Sequence, residues 1–412
     1  MKNRSKQTKQ FFTLLIASGM NIFLNLLLTL FLTNILSVED YGLYRYVFNL
    51  YNILAVVLQL GISHSVSIAL TRTDDEEKTK SIITFASLLM FGLSVVSSIL
   101  VMIVFSILLF TGVISNSLIV FSIIFAYTVV MHTAYLEILK GANAINSLAF
   151  QTVGPNLFML ILTGIAWYFT KDSINFLIVL ACHVLAYTIV AATEVKVFWK
   201  NINGQFGELK DEIGLVWKQS GFNIYIGSIF GVASTYIINS ISGIIITLGE
   251  YGVYSLGLSL ATPMQIIPST MGNILYKESA KSDKLPKSNI ILTIFISIFA
   301  LLTYSAVLLF VLPKIFPAAY SNSFGLGVYL SIAASLYGLG DYFNRYIAAK
   351  GRGDYLRNAS TISGIVNIVA SVIFMLLFGV IGLAYGRILG GLSYMFSLIL
   401  GYRLLIKDKE VR

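Results

Sequence analysis

Charged residues, cysteines and prolines are all scarce in this chain of 412 residues. Lysine, arginine, aspartate and glutamate together make up 11% of it, against 57% apolar residues, whereas a soluble domain carries ~25% charged residues. A water-soluble enzyme and a disordered chain are therefore excluded. The single cysteine, Cys182, excludes a disulfide scaffold. The six prolines and the high apolarity exclude collagen-like and low-complexity classes.

Catalytic and metal-binding motifs are lacking as well. The sequence contains no phosphate-binding glycine loop, nucleophile elbow or zinc-ligand spacing. The histidines His64, His132 and His183 are scattered without ligand spacing, so no metal site is expected. No catalytic residue and no cofactor is predicted, and the chain is not expected to be an enzyme or an ATP-driven pump.

Long uncharged runs dominate what is present. Most are long enough for one membrane-spanning helix of ~20 residues, and Ser81–Leu136 is long enough for two, with a turn at residues 111–117. Their continuous apolarity disfavours a transmembrane β-barrel, whose strands alternate in polarity. The runs predict an all-α polytopic membrane protein with about twelve transmembrane helices. They are Phe11–Val38, Tyr46–Thr71, Ser81–Leu136, Gly141–Thr170, Ser173–Thr193, Gln219–Gly249, Tyr251–Tyr276, Ser288–Pro313, Ile315–Gly340, Asn358–Gly386 and Ile381–Ile406.

The basic residues gather on one side of this topology. With the N-terminus in the cytoplasm, every lysine and arginine except Arg45, Lys171, Lys314 and Arg387 falls in an inner loop or terminus. Retention of lysine and arginine in the cytoplasm is the main orientation signal in membrane proteins. Both termini are therefore expected in the cytoplasm. The topology explains the net charge of +9, so no nucleic-acid partner is expected.

Two short motifs recur in one register, 210 residues apart. The segment Asp40-Tyr-Gly-Leu-Tyr44 returns as Glu250-Tyr-Gly-Val-Tyr254, and Lys140-Gly141 returns as Lys350-Gly351. These matches predict an internal duplication. We expect six-helix bundles at residues 1–200 and 219–412, joined by a cytoplasmic linker at residues 201–218. An even number of spans gives both halves the same orientation, and two bundles around a central cavity suit alternating access.

A stripe of polar residues follows one face of the second span, with a further residue in the first span, and its counterparts 210 residues later are polar too. Such groups are excluded from the lipid face because nothing there can hydrogen-bond them, so the stripe predicts a wet, substrate-binding cavity. The alternative is that these side chains hold helices together. The candidates are Arg45, Asn49, Asn52, Gln59 and Asn25 in the first half, and Ser255, Ser259 and Thr262 in the second.

Several charges occur in only one half. Arg45 and Arg387 are expected either to line the cavity, as substrate-binding residues, or to reach the lipid headgroups. Asp341 and Arg345 have the favourable i,i+4 order for an ion pair, and a proton or sodium site is the sharper alternative. Glu137, at the end of a span, is a weaker candidate for ion coupling.

Aromatic residues cluster beside the stripe. Tyr41, Tyr44, Tyr46 and Tyr51 are predicted to form an aromatic belt at the membrane interface. Val47, in the same turn as Arg45, is predicted to face lipid.

The segments Leu32–Tyr44 (LTNILSVEDYGLY) and Asn49–Gly61 (NLYNILAVVLQLG) carry a resemblance to a known family. They are similar to the N-terminal signature of bacterial polysaccharide-unit flippases in the multidrug/oligosaccharidyl-lipid/polysaccharide exporter superfamily. The basic N-terminus, the twelve spans and the division into six and six are similar as well. The lipid II flippase branch carries two further spans that this chain lacks, and its arginine-rich cavity is only partly matched.

This resemblance implies a cargo, a location and partners. The cargo would be an undecaprenyl-diphosphate-linked oligosaccharide, moved from the inner to the outer leaflet of the bacterial plasma membrane during O-antigen, capsule or exopolysaccharide assembly. A glycan polymerase and chain-length machinery would be partners beside the lipid bilayer. The competing functions are a cation-coupled small-molecule exporter of the same superfamily, which would need a buried acid in the N-terminal bundle, and a membrane-embedded glycosyltransferase or polymerase.

Overall fold

The computed structural model describes residues 2–73, 75–112, 116–198, 206–218, 222, 225, 229, 234–282, 284–350 and 352–410. For residues 2–12, 15, 172, 193–198, 206–208, 273–274, 276–281 and 408–410 only the backbone is described. Throughout these ranges the chain forms helices and no strand. The helices are α1 (Lys2–Ile35), α2 (Val38–Leu58), α3 (Ile62–Thr71), α4 (Glu76–Phe110), α5 (Ser117–Ser122), α6 (Ala126–Gly141), α7 (Ile145–Thr170), α8 (Phe176–Phe198), α9 (Phe206–Val216), α10 (Ser234–Ile245), α11 (Leu248–Lys281), α12 (Lys287–Ala306), α13 (Ser321–Ala349), α14 (Gly353–Phe378) and α15 (Val380–Glu410).

The helices account for the predicted spans. Eight helical segments in the described ranges are long and apolar enough to cross a membrane, and α2 with α3, bent by 59°, forms a ninth. Helices α8 and α11 follow two of the remaining predicted runs, and α10 lies within the run Gln219–Gly249. The turn predicted at residues 111–117, within the run Ser81–Leu136, is confirmed, because α4 ends at Phe110 and α5 begins at Ser117. The all-α polytopic fold with about twelve transmembrane helices is therefore confirmed.

The chain divides into two compact units, Met1–Ile229 and Phe230–Arg412. The finer division predicted from the sequence, with bundles at residues 1–200 and 219–412 and a linker at 201–218, stays a prediction. Part of that linker is the amphipathic helix α9, which packs on the first unit. Leu209 and Ile213 enter the core beside Val66 and Ile82, and Glu212 pairs with Lys78 at 2.9 Å.

Both copies of the repeated tyrosine motif begin a membrane helix. Ser37 caps α2 by accepting a hydrogen bond from the backbone N–H of Asp40. At the corresponding position of the second unit, the Thr247 hydroxyl accepts from the N–H of Glu250, whose carboxylate accepts from the N–H of Thr247. These contacts satisfy amide groups that a helix start leaves without partners. The motif therefore encodes a capped helix start. Of the second repeated motif, Gly351 lies outside the described residues.

The second span breaks at Leu60 and Gly61, which adopt φ values of 49° and 74°. A positive φ suits glycine, because it lacks a Cβ. The break frees backbone carbonyls within the span, and two side chains satisfy them. Trp217 Nε1 donates to the Leu60 carbonyl at 2.7 Å, and the Tyr225 hydroxyl donates to the Val57 carbonyl at 2.9 Å.

Candidate functional site

A polar cavity of about 240 Å³ lies inside the N-terminal unit. Helices α1, α2, α6, α7 and α8 enclose it. Apolar side chains such as Leu28, Phe48 and Met159 form part of its wall. The polar lining consists of one arginine, three asparagines, two histidines, three tyrosines and two threonines: Arg45, Asn21, Asn25, Asn156, His132, His183, Tyr41, Tyr44, Tyr187, Thr29 and Thr152.

The first turns of α2 place Tyr41, Tyr44 and Arg45 on the cavity wall. The Ser37 cap fixes where this helix begins, and residues three and four apart lie on one helical face. Tyr41 and Tyr44 are buried, at 0% and 5% exposure. Packed tyrosines on the same helix face therefore position the arginine.

His183 on α8 meets Tyr44 in the cavity wall. Its Nδ1 lies 3.3 Å from the Tyr44 hydroxyl, and its ring stacks on Tyr187 with centroids 4.5 Å apart. His183 Nε2 is buried and has no hydrogen-bond partner in the structure. Since buried polar groups are normally hydrogen-bonded, this nitrogen is available to a ligand, and it is a donor when Tyr44 donates to Nδ1.

The second histidine of the cavity, His132, is positioned by a hydrogen-bonded glutamine. Its Nδ1 lies 3.1 Å from Gln151 Oε1, and Gln151 Nε2 donates to the Val190 carbonyl at 3.2 Å. Tyr187 contacts both histidine rings. His132 and His183, which are far apart in sequence, therefore converge on one cavity. In the described part of the chain, no group of three or more His, Cys, Asp or Glu residues has a metal-binding arrangement.

Asparagines complete the wall. Asn156 Nδ2 donates to Asn21 Oδ1 at 2.7 Å, joining α7 to α1. Pro155 precedes Asn156 inside α7, and a proline within a helix removes one backbone hydrogen bond. The Thr29 hydroxyl lies 3.4 Å from Asn25 Oδ1. Amide groups at these positions can exchange hydrogen bonds with sugar hydroxyls or phosphate oxygens.

The predicted stripe divides between cavity and helix contact. Arg45 and Asn25 line the cavity as predicted, whereas Asn49, Asn52 and Gln59 are not part of its wall. Asn49 is buried at 6% exposure, and Asn52 Nδ2 donates to the Phe48 carbonyl of its own helix. A substrate contact by these three side chains stays a prediction for another state of the protein.

Gln59 holds helices together instead. Its Nε2 donates to the Thr133 hydroxyl on α6 at 2.7 Å, and its Oε1 accepts from the Ser63 hydroxyl at 2.7 Å. Polar side chains commonly link membrane helices in this way. At Gln59 the polar stripe therefore holds helices together, which is the alternative to a cavity lining.

The prediction of an aromatic belt is wrong. Tyr41, Tyr44, Tyr46 and Tyr51 are all buried, at no more than 5% exposure, and the Tyr51 hydroxyl donates to the Ser122 carbonyl. These rings face the interior because α2 packs against α6 and α8. Val47 is buried at 1% exposure and does not face lipid.

In the C-terminal unit, the predicted counterparts form local contacts. The Ser259 hydroxyl donates to the Ser255 carbonyl at 3.0 Å, and the Thr262 hydroxyl donates to the Leu258 carbonyl at 3.2 Å. Ser255 is buried and Thr262 is exposed. Their role in substrate binding stays a prediction.

Asp341 takes part in a hydrogen-bond network on α13. Tyr394 donates to Asp341 Oδ1 at 3.0 Å, Gln265 Nε2 donates to Oδ2 at 3.2 Å, and Asn344 Nδ2 donates to the Tyr394 hydroxyl at 2.9 Å. The predicted ion pair with Arg345 does not form between these two described side chains. Neutral donors satisfy the carboxylate while Arg345 is exposed.

Glu137, the other candidate for ion coupling, lies at the end of α6. Its carboxylate accepts from Lys140 Nζ at 2.5 Å and lies 3.5 Å from His64 Nδ1. An ion pair between residues of one helix end has a local structural role. Ion coupling through Glu137 stays a prediction.

Arg387 lies within the span Val380–Lys407, whose other cations, Arg403 and Lys407, lie near its end. Its guanidinium is hydrogen-bonded to Tyr254 and lies near Tyr337, and its Nη1 is buried without a hydrogen-bond partner. The residue as a whole is partly exposed, so both placements predicted from the sequence, the cavity and the lipid headgroups, stay predictions. A substrate contact stays a prediction.

The sequence pattern of the family described as "Polysaccharide biosynthesis protein" matches residues 8–276. The chain belongs to this family. The match covers all helices that enclose the cavity. Comparison with curated proteins finds no match.

Solved structures share the fold of this family member at low sequence identity. The lipid II flippase MurJ in an inward closed conformation superposes with a TM-score of 0.73 at 13% identity, covering 95% of this chain and 87% of that one. An inward-facing multidrug resistance MATE transporter of the MOP superfamily gives 0.71 at 14% identity, covering 96% and 98%. A MOP-superfamily transporter from Pyrococcus furiosus gives 0.57 at 15% identity, covering 97% and 96%. The chain therefore has the fold of this superfamily.

Proposed function

We propose that this protein is a flippase that moves undecaprenyl-diphosphate-linked oligosaccharides from the inner to the outer leaflet of the bacterial plasma membrane. The single observation that carries the proposal is the lining of the N-terminal cavity. It combines one permanent cation, Arg45, with several amide and hydroxyl groups, and no carboxylate occurs among the described residues that line it. Membership of the polysaccharide biosynthesis protein family supports the same cargo.

The cavity chemistry matches the parts of this cargo. Arginine presents a planar fork of donors that suits phosphate oxygens, and Arg45 supplies it. The Nε2 of His183 is a further donor for the same anionic group. The amides of Asn21, Asn25 and Asn156 suit sugar hydroxyls. The apolar lipid tail needs no protein site, because it can remain in the bilayer.

The membrane potential favours this direction of transport. Moving one charge across 100 mV corresponds to ~2.3 kcal/mol, so two negative charges leaving a cell that is negative inside gain ~4.6 kcal/mol. Export of a diphosphate therefore requires no coupling ion on energetic grounds. Asp341 is the candidate for a coupled proton or sodium ion, because its carboxylate is embedded in the C-terminal unit.

A cation-coupled exporter of small molecules is the second candidate function. A cationic drug would need a carboxylate in its binding cavity, whereas the described wall of the N-terminal cavity carries an arginine. An enzymatic role has no support in this lining, because it holds no paired carboxylates of the kind that glycosyl transfer chemistry uses. The cavity favours an anionic transported ligand.

The test is deletion of the gene in its own host. We expect undecaprenyl-diphosphate oligosaccharides to accumulate in the inner leaflet while surface polysaccharide is lost, and a glycan polymerase and chain-length machinery to act downstream. Surface polysaccharide measured by immunoblot should return when the wild-type chain is supplied on a plasmid. A deletion strain that assembles its surface polysaccharide normally, with no paralogue expressed, contradicts the proposal.

A further inference from the structure

The C-terminal unit contains a cation with a buried Nη1 group that the cavity chemistry does not use. Arg387 lies on α15 within a membrane span, and its Nη1 is buried without a hydrogen-bond partner. Among the described residues, no carboxylate lies within 4 Å of this guanidinium. Its neighbours are tyrosines instead: Tyr254 is hydrogen-bonded to it, and Tyr337 and Tyr251 lie near it. Neutral dipoles solvate a cation only in part, and a buried charge without a counter-charge is unfavourable.

A second side chain in the same cluster has a donor without a partner. Asn367 on α14 is buried at 1% exposure, and its Nδ2 has no hydrogen-bond partner. Its Oδ1 lies 3.4 Å from the Ser371 hydroxyl. The N–H groups of the amide therefore remain without an acceptor.

Gly390 brings Asn367 to the cluster around Arg387. A Cβ on Gly390 would lie 2.6 Å from the Tyr337 hydroxyl and 2.7 Å from Asn367 Cβ. Tyr337 also interacts with Arg387, which lies one turn before Gly390 on α15. The absence of a side chain at Gly390 thus lets Tyr337 and Asn367 approach one another between α13, α14 and α15, one helical turn from Arg387.

We propose that this cluster binds a chloride ion beside Tyr337, held by the guanidinium of Arg387 and the amide of Asn367. The site offers donors without acceptors on both Arg387 and Asn367, which is the complement of an anion. One fixed positive charge matches one monovalent anion. The ion would act as the counter-charge of a buried arginine, and it would not be the transported cargo.

Direct binding of radioactive chloride tests this site. The full-length chain, purified in detergent and exchanged into gluconate, is titrated with labelled chloride, and bound ion is counted per folded protein. We expect saturable binding that bromide displaces, and a loss of at least tenfold in affinity in Arg387→Gln. Arg403→Gln is the matched control, because Arg403 lies on the same helix and is exposed; it should bind as the wild type does.

A second variant decides the case if Arg387→Gln does not fold. Asn367→Asp has nearly the same shape and places a negative charge in the cluster, so it should fold and lose chloride binding. Wild-type affinity in a folded Asn367→Asp or Arg387→Gln protein overturns the proposal, as does the lack of saturable binding in the wild-type protein.

Inorganic pyrophosphate tests whether the cluster binds free chloride or the diphosphate of a substrate. Displacement of chloride by pyrophosphate at lower concentration than by bromide would assign the cluster to the diphosphate of a substrate and overturn the chloride site. Arg45→Ala should bind chloride as the wild type does. Chloride binding at the Arg387 cluster can therefore be judged independently of the proposed flippase function.

Discussion

Tyr44 and His183 meet across the wall of the N-terminal cavity, with the tyrosine hydroxyl 3.3 Å from Nδ1 of the imidazole. This contact directs the other ring nitrogen, which has no partner in the structure, toward a ligand. Two residues far apart in sequence thereby place a ring nitrogen without a partner in the cavity wall.

Replacing His183 by phenylalanine tests this donor. Phenylalanine keeps a flat ring against Tyr187 but removes the N–H group, and a hydrogen bond to a charged group contributes ~1.5–3 kcal/mol. We expect His183→Phe to reduce export about tenfold or more at wild-type abundance, measured as surface polysaccharide per folded protein. Leu185→Ala is the control on the same helix, because Leu185 is 52% exposed. Equal export by His183→Phe and Leu185→Ala would remove His183 from the ligand site.

Arg45 should require both its charge and its shape. Lysine keeps the charge but lacks the forked donors, so we expect Arg45→Lys to retain partial export and Arg45→Ala to lose most of it. Loss of one partner of a buried charge pair costs ~2–5 kcal/mol, which corresponds to roughly 30-fold or more in affinity.

The matched control for Arg45 is Arg72, which follows α3 in the same unit and is exposed. Arg72→Lys and Arg72→Ala should both export normally. If well-expressed Arg45→Ala exports as the wild type does, Arg45 is not part of the binding site.

Gly141 should contribute to stability because it lets α3 and α6 pack closely. A Cβ at this position would lie 2.5 Å from the Cα and carbonyl oxygen of Ser67, so α3 and α6 can pack only if residue 141 has no side chain. Overpacking costs ~1–3 kcal/mol, and Gly141→Ala should lower the apparent melting temperature of the purified protein by several degrees. Gly92→Ala, where a Cβ would meet nothing within 4 Å, should not. Equal melting of both variants would contradict the packing argument.

The predicted orientation can be tested by cysteine labelling. In a Cys182→Ala background, Ser117→Cys and Ser321→Cys should react with an impermeant thiol reagent added to intact cells, because both serines are exposed at helix starts. Ser282→Cys should react only after the cells are opened. Labelling of residue 282 in intact cells would reverse the predicted placement of the loops.

Apolar runs made the helices predictable, because a membrane span needs continuous apolarity. Arg45 and Asn25 were also predictable, since helical spacing puts polar residues on one face. The burial of Tyr41 and Val47 was not, because a single helix does not reveal which of its faces neighbouring helices cover.

The convergence of His132 and His183 needed the tertiary structure, because they lie on different helices. Asn156 carried a usable signal, since an asparagine after a proline within an apolar run is unfavourable in lipid. Applying the polar-stripe argument to α7 would have found it. The ion pair predicted for Asp341 failed because sequence spacing alone does not reveal Tyr394 and Gln265 as competing donors.

Transbilayer movement of the cargo in a purified system tests the central claim most directly. The chain is reconstituted into liposomes with an undecaprenyl-diphosphate oligosaccharide, and an impermeant lectin reports the fraction of glycan on the outer surface over time. We expect wild-type protein to expose the inner pool far faster than protein-free liposomes do, and Arg45→Ala to match the protein-free rate. Equal rates for wild-type and protein-free liposomes would contradict the proposed flippase function.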